Sequence, residues 1–142
     1  MIKKAIGLMA ITAFMMTVSC KKEGVGTTAE NAGVATMEFT ETEHDFGEIN
    51  EGDKVENYFT FKNTGVKDLV IVKATGSCGC TVPEYPKTPV KPGEEGKIKV
   101  SFNSAGKEGM QHKTVTITAN TKKANEVITI KATVKEKQGI GA

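Results

Sequence analysis

Cys78 and Cys80, separated only by Gly79, are the residues in this sequence best placed to do chemistry. Two cysteines that bracket one residue can approach within disulfide range, although so short a ring strains the bond. Strained disulfides are the more easily reduced ones. The plainest interpretation is structural: a local bridge at the end of a strand, or two small apolar side chains.

Two further chemistries are open to this cysteine pair. As a redox site, the bridge would exchange with partner thiols, although no helix N-terminus is predicted nearby to lower a thiol pKa. As a soft-metal site, Cys78 and Cys80 would bind copper(I) or zinc with Met110 and His112, and His44 is another candidate ligand. The spacing matches no standard zinc motif, in which paired cysteines lie about two to four residues apart. We therefore expect no metal and no other cofactor.

The sequence offers no catalytic motif. It contains no glycine-rich phosphate-binding loop, no Gly-x-Ser-x-Gly and no His-Glu-x-x-His. The acidic residues 41–45 are typical of a solvated segment before a strand, and carboxylates without a defined geometry do not make an active site. We expect a protein that is not an enzyme and that acts as a binding or scaffolding module.

The N-terminus has the three-part layout of a secretory signal. Lys3 and Lys4 precede an uncharged apolar stretch, residues 5–16, and polar residues resume at Lys21. The apolar stretch is too short for a membrane-spanning helix, which needs about 20 apolar residues. This pattern predicts an exported chain with a signal peptide at residues 1–19.

The end of this signal is similar to the lipobox of bacterial lipoproteins. Small Ser19 stands directly before Cys20, although Thr17 occupies the position where that box usually has leucine. The resemblance implies that Cys20 is acylated and anchors the chain to a membrane of the bacterial cell envelope, which we expect to be the outer membrane. The anchored domain would face the periplasm or the cell surface. The alternative is a soluble signal cut elsewhere, which would leave Cys20 as an unpaired thiol.

Charge gives no reason to expect a nucleic-acid partner. The chain has 19 Lys and Arg against 17 Asp and Glu, and Lys3 with Lys4 accounts for the whole excess. The remainder is neutral and carries no basic footprint.

Residues 20–36 are rich in Gly, Ala, Thr and charge and predict a flexible lipid-anchored tether, while residues 136–142 predict a disordered tail.

Between these segments, apolar and polar residues alternate with the period of strands that bury one face. Ile98, Val100 and Phe102 follow this rule, and residues 69–74 are so continuously apolar that we expect both faces covered. Turn signals separate the runs, among them a hairpin-type turn at residues 63–65. The pattern predicts an all-β fold, an antiparallel β-sandwich of about seven strands over residues 37–135. The alternating runs are residues 54–63, 97–102, 113–119 and 128–135, with a first strand at 37–42.

Six short motifs follow one another along the sequence: residues 44–49 (HDFGEI), 59–65 (FTFKNTG), 77–81 (SCGCT), 90–93 (VKPG), 96–100 (GKIKV) and 117–120 (ITAN). Their succession resembles the bacterial domain of unknown function 1573 over residues 37–135. That resemblance implies an immunoglobulin-like sandwich, similar to domains of cilium-associated and major sperm proteins and more remotely to pilus chaperones. It implies an envelope location and brings no known reaction.

Residues 81–92 are predicted to form a loop, which is the expected contact surface for an unidentified protein partner. Pro83, Pro86 and Pro89 surround Tyr85 in it, and these prolines limit disorder and discourage unwanted strand pairing. The alternative is a rigid connection between two strands. Sandwiches of this class commonly bind through exposed sheet edges or end loops.

Overall fold

The computed structural model of this protein describes residues 34–137. The predicted signal peptide, Cys20 and residues 138–142 lie outside the described residues. Within residues 34–137, no helix is long and apolar enough to cross a membrane.

The described chain is all-β and forms a sandwich of two four-stranded sheets. The first sheet has the order β1-β3-β6-β5 and the second the order β2-β8-β7-β4. The immunoglobulin-like sandwich is therefore confirmed, with eight strands where about seven were expected. The strands are β1 (Met37–Phe39), β2 (Glu43–Asn50), β3 (Lys54–Asn63), β4 (Ile71–Gly76), β5 (Thr81–Glu84), β6 (Glu95–Asn103), β7 (Gly109–Ala119) and β8 (Asn125–Lys135).

One pairing departs from the antiparallel expectation. Strand β2 runs parallel to β8 at the edge of the second sheet, with a register shift between Asp45 and Glu48. Gly47 has a φ of 69° there, a conformation that glycine adopts without steric cost. Its backbone N–H donates to the Asp45 carboxylate at 2.7 Å. The resulting bulge bends β2 at a sheet edge, a common position for such irregularities.

The core lies between the two sheets and is built by the alternation seen in the sequence. Phe59, Phe61 and Phe102 of the first sheet are at most 1 % exposed, and Ile117 and Ile128 face them from the second sheet fully buried. Burying one such side chain contributes about 1.5–3 kcal/mol. These apolar residues therefore account for most of the driving force that closes the sandwich.

The segment 69–74 is not covered on both faces, contrary to the expectation. Leu69 and Ile71 are buried, whereas Val70 is 39 % and Val72 67 % exposed. A register shift between Ile71 and Lys73 in the pairing with β7 disturbs the alternation at the start of β4. The apolar run therefore leads into an edge strand that buries one face against the core and exposes the other face to solvent.

The predicted hairpin turn at residues 63–65 is also wrong, because β3 and β4 belong to different sheets. Asn63 is fully buried at the point where the chain leaves the first sheet. Its side-chain carbonyl accepts from Thr36 N at 3.3 Å and Gly65 N at 3.0 Å. Its amide donates to Lys67 O at 2.7 Å and Val90 O at 2.9 Å. One side chain thus bonds four backbone groups in three segments of the chain, residues 34–36, 63–68 and 90–94.

The chain enters the sandwich at the end where Asn63 lies, and we call this the entry end (residues 34–36, 63–68, 90–94 and 120–125). Ala35 is 1 % exposed and forms a bridge with Thr121, while Val34 O accepts from Val66 N at 3.2 Å. Residues 34–36 were predicted as tether, but they are packed into the domain because their backbone groups and Ala35 are buried against it. The folded domain therefore begins by Val34.

The opposite end of the sandwich we call the distal end (residues 50–53, 77–81, 103–108 and 135–137). Ser104 is fully buried there and its hydroxyl donates to Asn50 O at 2.7 Å and Asp53 O at 3.0 Å. Glu51 N donates to Lys135 O at 2.8 Å, and Asn103 N donates to Cys80 O at 2.9 Å. These bonds bring the end loops of both sheets together.

Candidate functional site

The cysteine pair lies on a corner where the chain passes from one sheet to the other. Strand β4 ends at Gly76 in the second sheet, and β5 begins at Thr81 in the first. A Cβ atom on Gly76 would collide with the carbonyl oxygen of Thr81. The close passage of the two backbones therefore requires glycine at this position, as the general use of glycine at tight approaches predicts.

Cys78 and Cys80 form a disulfide bond, with their Cα atoms 5.2 Å apart. That separation is within the usual range for a bridge. Both cysteines are half-buried, Gly79 between them is exposed, and Cys80 packs against the hydrophobic core. Of the states considered from the sequence, the structure contains the bridged one, in which neither sulfur is a free thiol.

Hydrogen bonds fix the corner to both sheets. Thr81 N donates to Cys78 O at 3.2 Å, and the bond from Asn103 N to Cys80 O ties the corner to β6. On the other side, Ser77 N donates to Thr114 O at 2.8 Å, and the Ser77 hydroxyl accepts from Thr114 N at 3.2 Å. The backbone around the sulfurs is thus held independently of the bridge itself.

Thr81 brings a buried hydroxyl to the bridge. The residue is 3 % exposed, and its Oγ1 lies 3.5 Å from Cys78 Sγ and 3.9 Å from Cys80 Sγ. A disulfide sulfur carries no hydrogen, so the hydroxyl is the donor in this state. Sequence reasoning singled out the two cysteines and missed the role of Thr81. The available signal was a threonine directly after Cys80 at the first position of a strand.

A small open pocket of about 310 Å³ lies beside the bridge, with Cys80 and Gly79 on one side. Val82 of β5 is 52 % exposed on this surface. Lys54 and Glu56 of β3 line the pocket from beyond β6, the strand that lies between β3 and β5. A thiol-bearing group entering here would meet Cys80 together with one cation and one anion.

The carboxylate of Glu56 is already engaged by its neighbours. Lys99 Nζ lies 3.0 Å from Glu56 Oε1 and 3.7 Å from Glu84 Oε1, and Ser101 donates to Glu56 at 3.1 Å. The hydrogen bond from Lys99, followed by that from Ser101, holds the pKa of Glu56 below its usual value. The bond to Glu56 in turn raises the pKa of Lys99. These exposed pairs are worth little to stability, and Lys54, not Lys99, is the lysine that lines the pocket.

The residues considered as metal ligands do not lie around the same pocket. Met110, 77 % exposed, and His112 stand on the outer face of β7 and line a separate depression of about 250 Å³. His44 lies on β2, its Nδ1 3.4 Å from the carboxylate of Glu41. Within residues 34–137, no group of three or more His, Cys, Asp or Glu side chains is arranged to hold a metal ion.

The predicted contact segment 81–92 is partly a strand. Pro83 belongs to β5 and pairs with Val100, so the prediction of a loop starting at residue 81 is wrong. A short edge strand tolerates proline because one side of its backbone has no ladder partner. Beyond the strand, Pro86 is half-buried, and residues 87–89, which include Pro89, are exposed.

Tyr85 covers the edge of β4. Its ring is half-buried and packs against the core, and its hydroxyl donates to Val72 O at 3.1 Å. Lys87 Nζ lies 3.4 Å from the centre of the Tyr85 ring, a cation–π contact. The aromatic side chain therefore has a structural task, and the longest exposed run in the segment is residues 87–89.

This arrangement of strands, two four-stranded sheets with a sheet-switching corner and a parallel edge strand, is an immunoglobulin-like β-sandwich. The domain aligns with PapD-like domain 7 of human CEP192 at a TM-score of 0.56 and 11 % identity, over 74 % of this chain and 89 % of that one. A family model described as protein of unknown function (DUF1573) matches residues 37–134, and the chain belongs to that family.

Two bacterial structures show the same fold. A protein of unknown function from Porphyromonas gingivalis W83 aligns at a TM-score of 0.63 and 19 % identity over 72 % of this chain, which spans 48 % of that protein. The secreted serine protease VesC from Vibrio cholerae aligns at a TM-score of 0.56 and 12 % identity over 74 % of this chain and 24 % of that one. No curated protein shows a significant match to the sequence. At these identities the likeness concerns the fold alone.

Proposed function

We propose that this protein is a non-enzymatic binding or scaffolding module, anchored to a membrane of the bacterial cell envelope by a lipid on Cys20. The observation that carries the proposal is the separation of the two ends of the sandwich. The chain arrives at the entry end through Val34, while the loops 50–53, 77–81 and 103–108 gather at the distal end. An anchor upstream of Val34 turns the entry end toward the membrane and presents the distal loops to partners.

The distal end also has surface depressions that a partner could fill. Depressions of about 770, 320 and 310 Å³ open there, the largest lined by residues 50–53 and 135–137. From Cys20 to Val34 the chain spans 14 residue steps. Fully extended, these reach at most about 50 Å. The tether therefore lets the domain meet a partner away from the lipid surface, while its entry end stays on the side of the anchor.

The anchor is tested by replacing its thiol. In the native host, the Cys20→Ser variant is expected to leave the membrane fraction and to lack the acyl mass on its mature N-terminus, because only a thiol at that position is lipidated. The matched control is the Cys78→Ser/Cys80→Ser double variant, which removes the other two cysteines and is expected to stay acylated. Membrane retention of the Cys20→Ser chain, or an N-terminus processed at another position, would contradict the anchor.

The binding surface is tested by cross-linking in cells. A photoreactive amino acid at Lys107 of the distal end is expected to capture a partner, whereas one at Lys123 of the entry end is not, since that end faces the membrane. A third position, Pro89, probes the exposed part of the segment predicted from the sequence. Adducts confined to Lys123 would refute the orientation, and adducts confined to Pro89 would move the contact surface to the side of the sandwich.

A further inference from the structure

We propose that the Cys78–Cys80 bridge is a thiol–disulfide exchange site, at which Cys80 receives the incoming thiolate and Cys78 leaves toward the hydroxyl of Thr81. The co-reactant is a dithiol, carried by a protein or a small molecule. This activity goes beyond the binding role and requires no membrane anchor. It rests on three features of the corner: the buried hydroxyl, the open pocket and the backbone that holds the sulfurs.

The Thr81 hydroxyl favours the reduced state. Thr81 is 3 % exposed, and among the described residues the hydrogen-bond contacts of its hydroxyl are with the two sulfurs. A disulfide sulfur is a weak acceptor, whereas a thiolate is a charged one, and hydrogen bonds to charged acceptors are about twice as strong as neutral ones. Since the hydroxyl lies nearer to Cys78 Sγ, at 3.5 Å, than to Cys80 Sγ, at 3.9 Å, it is best placed to stabilise a thiolate on Cys78.

The pocket gives the incoming group access to the other sulfur. Cys80 lines the open pocket beside β5 together with Lys54. A cation near a thiol stabilises its thiolate, the form that attacks a disulfide. The pocket therefore leads the attacking thiolate to Cys80, since Cys80 lines it and Cys78 does not.

The exchange balances in two steps. The thiolate of the dithiol forms a bond to Cys80 Sγ, the bond between Cys80 and Cys78 breaks, and Cys78 departs with the electron pair as a thiolate. The second thiol of the co-reactant, after losing its proton to water, then attacks its own partner sulfur in the mixed disulfide and releases Cys80 as a thiolate. Both released thiolates take protons from water. Two electrons have passed from the dithiol, which becomes a disulfide, to Cys78 and Cys80.

The corner is built to keep its shape when the bridge opens. The backbone bonds from Thr81 N to Cys78 O and from Asn103 N to Cys80 O do not involve the sulfurs. A bridge between residues two positions apart closes a very short loop, and such a loop restrains the unfolded chain least. The dithiol form is therefore expected to keep the fold, as a reversible site requires.

The hydroxyl is tested by equilibrating the full chain with dithiothreitol of graded redox ratio, followed by alkylation and mass analysis. Thr81→Val keeps the branched shape that suits a strand but removes the donor, and should require about a tenfold more reducing buffer. Tenfold corresponds to about 30 mV for a two-electron couple. Thr81→Ser keeps a hydroxyl and is expected near the wild type. Equal midpoints for the Val variant and the wild type would overturn the role of Thr81.

The direction of attack is tested on the wild-type chain, so that it does not depend on the folding of a variant. After a short exposure to glutathione and acid quenching, peptide mapping should find the mixed disulfide on Cys80. Glutathione on Cys78 would overturn the assignment. A bridge that dithiothreitol does not open while the chain stays folded would overturn the whole proposal.

Discussion

The side chain of Asn63 offers the sharpest test of how this sandwich is held together. Its amide is fully buried and joins the four backbone groups already described, two N–H donors and two carbonyl acceptors. Replacing it in Asn63→Asp preserves shape and the carbonyl acceptor but removes the N–H donors. As a neutral acid the new side chain donates to one of the two carbonyls, and as a carboxylate it donates to neither.

The magnitude follows from the groups left without partners. Each buried carbonyl that loses its donor costs about 1–3 kcal/mol. With both orphaned and a charge buried beside them, we expect Asn63→Asp to lower the free energy of unfolding by about 3–5 kcal/mol at pH 7. Domains of this size are stable by only about 5–15 kcal/mol. The variant should therefore be close to unfolding at neutral pH.

The sign of the pH dependence is fixed by the same burial. Desolvation and the two facing carbonyls raise the pKa of the new carboxyl in the folded state above its unfolded value of about 3.9, against the smaller opposite effect of the two donors Thr36 N and Gly65 N. A group with a raised folded pKa is least destabilising below the unfolded pKa, and its cost grows as pH rises through the folded pKa. The deficit of Asn63→Asp relative to wild type should thus be smaller at pH 4 than at pH 7.

Urea denaturation of the chain carrying Cys20→Ser measures this deficit at both pH values. The matched control is Asn120→Asp, because Asn120 makes a similar pair of bonds, to Val70 N at 2.8 Å and Asp68 O at 2.9 Å, while exposed to water. There the orphaned carbonyl is solvated, and we expect a loss below about 1 kcal/mol. Equal costs for the two variants, or an Asn63→Asp deficit independent of pH, would refute the reasoning.

Three further predictions concern the corner and its surroundings. Gly76→Ala should lower the free energy of unfolding by about 2–3 kcal/mol in urea denaturation, because the new Cβ meets a backbone carbonyl of β5. A Cβ on Gly79 meets nothing within 4 Å, so the control Gly79→Ala should be nearly neutral. Tyr85→Phe should cost about 0.5–1.5 kcal/mol by the same assay, since the bond to Val72 O is lost, and an unchanged midpoint would contradict that bond. NMR titration should place the carboxyl pKa of Glu56 below 4.5, and this lowering of the pKa should be smaller in Lys99→Met. The small stability that the Glu56 carboxylate contributes should be present at neutral pH and disappear as pH falls through the folded pKa.

The parts of the fold that sequence alone could predict are those with an undisturbed period of two. Ile98, Val100 and Phe102 alternate without a break and proved to be the buried face of β6. Strand β2 was missed because its bulge inserts an extra step, so that Phe46 and Ile49, both facing the core, are three positions apart. Strand β5 was missed because it has four residues and contains Pro83, which normally argues against a strand.

The contacts of the site residues could likewise be predicted from the sequence only where the partners are close along the chain. The spacing of Cys78 and Cys80 made a local bridge foreseeable, since the two residues are neighbours in any conformation. The tasks of Asn63 and Tyr85 were not foreseeable, because their partners Val90 and Val72 lie 27 and 13 residues away. Local patterns report which face of a strand is buried, but they do not report which distant backbone group a polar side chain will meet.

The corner that carries Cys78 and Cys80 contributes little to stability, whereas the entry end that carries Asn63 contributes much more. A bridge that closes a three-residue loop restrains the unfolded chain by about 2 kcal/mol at 25 °C. Asn63, by contrast, satisfies four backbone groups, of which Gly65 N and Val90 O are buried and each cost about 1 kcal/mol or more when orphaned. Because the entry end and the apolar core carry most of the stability, the bridge at the distal end can open without unfolding the sandwich. In the exchange that we propose, its cysteines then react at the corner 77–81, away from the entry end that carries Asn63.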